Sequence, residues 1–314
     1  MEVNRPGLAV NPRRLASQNM REAKISMALK VGVQLYSVRD HMKSDPVGTL
    51  EKVAATGYHR LEAANSNAAV DPGIGLGMPA DQVCDLLDRL GARIIGSHVS
   101  PFDDTDSRTV IDYHKAIGNR NIILSIMFCR DEADLATKCR QFNHMGEICE
   151  AEGMRFMYHN HYHEFQKIGG ERILDIIAES TDPRYVHFEI DTYWAMRAGM
   201  DPARVLKHYG SRVKAIHLKD FALPDVTDSP VNLLEKLNLQ GFIPAHRFGE
   251  VIVPEDFAEI GTGRMDIQAI LDAANALGSV EDVILEQDHS RYDSLESLRI
   301  SMEGFKKYTG IDWS

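Results

Sequence analysis

No apolar run in this 314-residue chain approaches the roughly 18 residues that a membrane-spanning helix needs, so no membrane span is expected. Cysteine is scarce. Cys84, Cys129, Cys139 and Cys149 are scattered, and none forms a CxxC pair. With no signal peptide before them, they fit reduced thiols in a cytoplasmic protein. Positive charge is in deficit: 35 Lys and Arg stand against 46 Asp and Glu, a net charge of −11. A nucleic-acid partner is therefore not expected, because such a partner calls for a basic face. Residues 1–27 are polar, lack an apolar core segment and carry Arg5, Arg13, Arg14 and Arg21. They read as a loosely packed or disordered arm and not as a secretion signal. Low-complexity tracts are absent too, as is any internal repeat beyond the alternation described next.

Hydrophobic residues make up 44% of the chain, enough for a large core. From residue 31 onward, short runs rich in Val, Ile and Leu alternate with segments of helical period. The strand candidates are 31–36, 59–63, 92–98, 120–126, 154–161, 185–191, 212–219 and 283–287. Pro46 and Gly57 bracket one helical segment, and Pro79 and Gly91 the next. Eight such units in one domain of 28–314 predict a closed (β/α)8 TIM barrel. The rival, a doubly wound open sheet, normally has a Gly-rich nucleotide loop after its first strand, and "SVRDHMKSD" offers none. One connection is long. Residues 221–262, after the seventh strand, hold Pro224, Pro230, Pro244 and Pro254 and are expected to form a lid or insertion loop.

In such a barrel all strand C-termini meet at one face, where function resides. The strand ends supply Gln34 and Tyr36, then Glu62, then His98, then "HNH" at 159–161, Asp191, His217 with Lys219, and Glu286. Side chains alternate along a strand, so His159 and His161 share a face. Asp191, His217 and Glu286 end three successive strands and can converge on one divalent ion, with His159 or His161 completing the set. Oxygen ligands mixed with imidazole suit Mn2+, Mg2+, Co2+ or Zn2+. Taken singly, Asp191 could instead cap the helix that follows it, and His217 could be a hydrogen-bonded core histidine. Lys219 could stabilise an enolate oxygen or form a surface ion pair with Asp220 or another carboxylate. His98 reads as an acid, a base or a satisfied structural histidine. Trp194 and Tyr193 read as a wall for a sugar ring or as core. "GTG" at 261–263 reads as a turn, being too short for a phosphate cradle.

"VGVQLYSVRD", "HNH" with "HEF", "FEIDTYWAMRAGMDP", "AIHLKD" and "LEQD", in that order over residues 30–308, resemble the sugar phosphate isomerase/epimerase family of the xylose isomerase-like barrel superfamily. Its relatives include tagatose 3-epimerase-like, hydroxypyruvate isomerase-like and inosose dehydratase-like enzymes, and apurinic endonucleases. The resemblance implies a metal held by Glu, Asp, His and Glu from strands five to eight. Asp191, His217 and Glu286 match the last three, and His159 stands where the first Glu would be. Glu164 resembles a family position near the substrate.

The expectation is a metal-dependent isomerase, epimerase, lyase or dehydratase acting on a sugar, keto-sugar or polyol by proton abstraction next to a carbonyl. Glu286, His161, Lys219 and Glu164 are the expected catalytic groups. Gln34, Tyr36, Glu62, His98 and Trp194 are expected at the substrate, and His159, Asp191, His217 and Glu286 at the metal. The alternatives are an apurinic-endonuclease-like phosphodiesterase and a non-catalytic sugar-binding barrel. The expected partners are an unphosphorylated small molecule and further copies of this chain in a homo-oligomer.

Overall fold

Eight parallel strands close on themselves, each built from one of the Val-, Ile- and Leu-rich runs. The structure, a computed structural model, describes residues 28–100 and 107–313. The arm expected at 1–27 lies outside the described residues. The barrel strands are β1 (Leu29–Gln34), β2 (Arg60–Asn65), β3 (Arg93–Val99), β4 (Asn121–Leu124), β5 (Arg155–His159), β6 (Val186–Asp191), β7 (Val213–Leu218) and β8 (Asp282–Leu285). Closure is made by β8 pairing with β1, Lys30 opposite Asp282 and Val33 opposite Leu285. A short strand, Ile311–Asp312, adds to the start of β1. The (β/α)8 reading of the alternation is therefore correct, with strand ends displaced by at most two residues.

Local chemistry sets the connecting helices. Asp45 caps Pro46–Ala55 by accepting from Gly48 N at 2.9 Å, with Pro46 at the position where its missing N–H costs nothing. Helix Ala80–Leu90 stops at Gly91, whose φ of 59° is left-handed. Asp131 caps the long helix Glu132–Ala151. The apolar faces of these helices bury the outward residues of the barrel in one continuous core. Among the described residues, no helix is long and apolar enough to cross a membrane.

Inside the barrel the side chains lie in layers. At the N-terminal end Arg60 pairs with Asp282 and Arg155 with Glu281. Above them Ile95, Ile123, Met157, Ala215 and Ile284 form a separate apolar cluster. Gly32 leaves room for it, since a Cβ there would sit 2.9 Å from Ile95 Cδ1. Two residues further along their strands than Met157, Ala215 and Ile284 come His159, His217 and Glu286, on the same face. The apolar layer is thus the floor of a polar site that opens at the strand C-termini.

The long connection after β7 is folded. It contains helices Leu233–Leu237 and Ala245–Phe248, and its strand Phe257–Ala258 pairs with Asp220–Phe221. A wholly buried guanidinium pins it. Arg197 pairs with Asp256 at 2.8 Å and donates to the carbonyls of Val231 and Pro230 and to the Tyr193 hydroxyl.

Candidate metal centre

The eight residues "YHNHYHEF" part company in space. Tyr158 turns outward into the core against Phe142, with ring centroids 5.4 Å apart. His159 turns inward and is 1% exposed. Asn160 accepts from Asp191 N at 3.1 Å and so ties β5 to β6 at the mouth. His161 lies beyond the last strand residue, partly exposed, with a buried Nδ1 that has no hydrogen-bond partner. His163 is 2.7 Å from the Met127 carbonyl and stacks on Phe128. Glu164 is buried, held by the Tyr158 hydroxyl and by the N–H of His161 at 2.8 Å. Its carboxylate shapes the turn after β5 and does not face the quartet of potential ligands.

That quartet is His159, Asp191, His217 and Glu286, whose ligand atoms lie within 4.8 Å of one another. His159 Nε2 is 3.9 Å from Asp191 Oδ2, and His217 Nδ1 is 3.1 Å from Glu286 Oε2. His161 is outside the quartet, its ring centroid 5.0 Å from that of His159. Asp191 does both things its position allowed. Its Oδ1 caps the next helix by accepting from Trp194 N at 2.8 Å, and its Oδ2 faces the site.

Lys219 enters from above. Its ammonium is buried, 2.5 Å from Asp191 Oδ2, in contact with Glu286 Oε2 and 3.3 Å from Asp288 Oδ2. The ion pair considered for it forms with these carboxylates and not with Asp220, and it is buried, not at the surface. Asp220 instead accepts from the N–H groups of Phe221, Gly261, Gly263 and Met265, so "GTG" wraps a carboxylate of this chain.

Behind the quartet lies a second set, His98, His159, Glu189 and His217, also within 4.8 Å. Glu62 joins it, with Oε2 2.6 Å from His217 Nε2 and accepting from Gln34 Nε2 at 2.8 Å. Gln34 and Glu62 are therefore not at a substrate surface. Both are wholly buried behind the imidazoles, where Glu62 Oε2 is engaged by His217, His98 and Gln34. His98, 2.9 Å from Glu189, belongs to this inner set as well. Tyr36 is 41% exposed at the rim under the Arg39 guanidinium. Trp194 is buried beside the site, 5.7 Å from the His161 ring, whereas Tyr193 packs into the core on Phe257.

Three contributors escaped the sequence reading. Glu189 and Asp288 each lie two residues from an expected site residue, Asp191 and Glu286, so strand alternation alone could have found them. Phe248, from the long connection, packs at 5.4 Å on His161 and 6.3 Å from Trp194, and no local pattern signals that.

Charge is unbalanced here. Asp191, Glu286 and Asp288 face the single ammonium of Lys219, while Glu62 and Glu189 face the imidazoles of His98, His159 and His217. Burial pushes Glu189 up to about 7, helped by the charge of Glu62. Burial also raises Asp191, against the pull of Lys219, and takes Asp288 up to about 6. It works against the Glu286 charge too, but Lys219 and His217 outweigh it and hold that carboxyl well below the usual range. Burial pushes His159 and His161 far below an ordinary imidazole, so both are neutral near pH 7. The facing carboxylates outweigh burial at the other two imidazoles, raising His98 to about 9 and His217 well above an ordinary imidazole, so these rings share in balancing the charge. Carboxylate oxygens beside imidazole nitrogens are also the donor set of a divalent metal, which would take the place of a His217 ring proton. Among the described residues, these two overlapping sets are the groups able to hold one.

Fold and centre together define a (β/α)8 barrel with a buried His–carboxylate centre at the C-terminal ends of its strands. The chain belongs to the xylose isomerase-like TIM barrel family, whose sequence model matches residues 52–308. It is similar to an inosose dehydratase from Clostridium tetani, 29% identical over 156 residues, which is 49% of this chain and 48% of the relative. The chain thus spans about half the length of that relative. A sugar phosphate isomerase/epimerase from Parabacteroides distasonis shares the fold, with a TM-score of 0.70 at 20% identity over 92% of this chain and 98% of the other. So does the IolI protein, solved with a bound zinc atom, with a TM-score of 0.63 at 13% identity over 89% and 97%.

Proposed function

We propose that this chain is a metal-dependent isomerase, epimerase or dehydratase acting on a sugar, keto-sugar or polyol, with proton abstraction next to a carbonyl as its central step. The observation that carries the reading is the quartet at the barrel mouth, crowded with carboxylate and overhung by one ammonium. His159, Asp191, His217 and Glu286 would hold the ion. When bound, a divalent ion there would polarise a carbonyl and an adjacent hydroxyl and so acidify the C–H between them.

The residues around the quartet supply the remaining chemistry. His161, neutral and with Nδ1 unpartnered, is placed to accept the proton. Lys219 Nζ offers positive charge to the oxygen on which negative charge develops. Trp194 and Phe248 wall the pocket with apolar surface suited to the C–H face of a sugar ring, and His161, partly exposed, can exchange the abstracted proton with water. The similarity to an inosose dehydratase supports including elimination of water among the outcomes of the same proton abstraction.

The test is a screen of inososes, keto-sugars and free ketohexoses with added Mn2+ in deuterated water. Product should carry deuterium next to the carbonyl. His161→Asn should lose about 10²–10⁴-fold in rate with metal content unchanged. Turnover without solvent exchange would remove the proton-abstraction step.

A further inference from the structure

His159 and His217 each have two faces. His217 Nδ1 looks outward to Glu286, and its Nε2 looks inward to Glu62 at 2.6 Å and Glu189 at 3.2 Å. His159 Nε2 looks outward to Asp191, and its Nδ1 lies 3.0 Å from Glu189 Oε2. His98 Nε2 sits between the same two carboxylates, 2.9 Å from Glu189 and 3.2 Å from Glu62.

The spacings rank the two sides of each ring. His217 Nε2 is 2.6 Å from Glu62 Oε2, whereas its Nδ1 is 3.1 Å from Glu286 Oε2. His159 Nδ1 is 3.0 Å from Glu189 Oε2, whereas its Nε2 is 3.9 Å from Asp191 Oδ2, beyond hydrogen-bond reach. Each ring is therefore held more closely on its inner side. A neutral imidazole has one N–H and one lone pair, so a proton held on one side leaves the other nitrogen free to coordinate.

The backbone is distorted where this matters. The parallel ladder of the barrel breaks register twice among the described residues, once at Glu62 and once at Glu189. Leu61 is opposite Ile94 but Glu62 is opposite Gly96, and Phe188 is opposite Val213 but Glu189 is opposite Ala215. Such irregularities re-aim side chains. Gly96 also makes space, because a Cβ there would lie 2.8 Å from Glu62 Oε1.

Resting on the reading of the outer quartet as the cation site, we propose that Glu62, Glu189 and His98 are positioning residues that fix the tautomers of the two ligand imidazoles. They hold the ring protons on His217 Nε2 and His159 Nδ1, so that His217 presents Nδ1 and His159 presents Nε2 to the ion. The inner set takes no ion of its own.

The experiment uses the full chain with histidine labelled with 15N. Long-range proton–nitrogen spectra of the Zn2+-loaded protein should show His217 protonated at Nε2 and His159 at Nδ1. Titration with Co2+, followed by its visible absorption and by elemental analysis, should give about one ion per chain. Glu189→Gln and Glu62→Gln should bind it about 10–100-fold more weakly, as expected when a partner of a ligating histidine is removed. Opposite tautomers in the wild type overturn the proposal even if the variants do not fold. Wild-type affinity in both variants, with Asp191→Asn and Glu286→Gln weakened, overturns it while leaving the quartet in place. Wild-type affinity in Asp191→Asn and Glu286→Gln overturns the quartet itself.

Discussion

Replacing Lys219 with methionine removes the one ammonium from the centre while keeping most of its volume. The side chain is wholly buried, and three carboxylates face it: Asp191, Glu286 and Asp288. Deleting one partner of a buried ion pair typically costs about 3–5 kcal/mol, because the charge left behind is neither solvated nor paired. At about 2 °C per kcal/mol for a chain of this size, the metal-free variant should melt about 6–10 °C lower than the wild type. The deficit should grow with pH. Proton uptake is the compensation left to these carboxylates, and Asp288 already titrates near 6 with the ammonium present. A folded-state pKa above the unfolded value means stability present at low pH and lost as pH rises through the folded pKa. The ammonium also competes with a metal for Asp191 Oδ2 and Glu286 Oε2. Lys219→Met should therefore bind Mn2+ or Zn2+ about tenfold more tightly or better, and saturation with the ion should recover most of the lost melting temperature. Calorimetric scans at pH 5.5 and 8, with and without metal, read all of this. Equal melting of variant and wild type without metal, and equal metal affinity, would refute the reasoning.

Arg197→Met should destabilise the protein by about 3–5 kcal/mol through the orphaned Asp256, and should open the 221–262 connection to protease earlier than the barrel. Urea melting and limited proteolysis check this, and uniform cleavage along the chain would contradict it. Burial lowers His114 to about 4, against about 6.5 when unfolded. Its neutral form is thus favoured by folding. This contribution, on the order of 3 kcal/mol, is complete above about 6.5 and is lost as pH falls toward 4. Between pH 7.5 and 5, His114→Gln should show a flatter decline in urea midpoint than the wild type. Parallel declines would remove His114 as the source.

The barrel was legible because its signal repeats. Each of the eight apolar runs is a strand, and each capped or Gly-ended segment identified between them is a helix. Asp191, His217 and Glu286 were legible as neighbours for the related reason that a barrel brings its strand ends together, whereas topology left His159 and His161 open and the family resemblance pointed to His159. Depth was not legible. Gln34 ends β1, but β2 runs on three residues past Glu62 to Asn65, and a register break at Glu62 helps set its carboxylate behind the imidazoles, with Gln34 bonded to it. Nor was the fate of Glu164 legible, because a tertiary contact with the Tyr158 hydroxyl decides it. Phe248 reaches the pocket only through the fold of a long connection whose sequence has no clear period.

The central claim is that the outer quartet holds a divalent ion. Elemental analysis of the reconstituted wild type, His217→Ala and Glu286→Gln, after exhaustive dialysis, tests it most directly. The account predicts about one ion per chain in the wild type and a clear loss in both variants. Full occupancy in both variants, or none in the wild type, would contradict it.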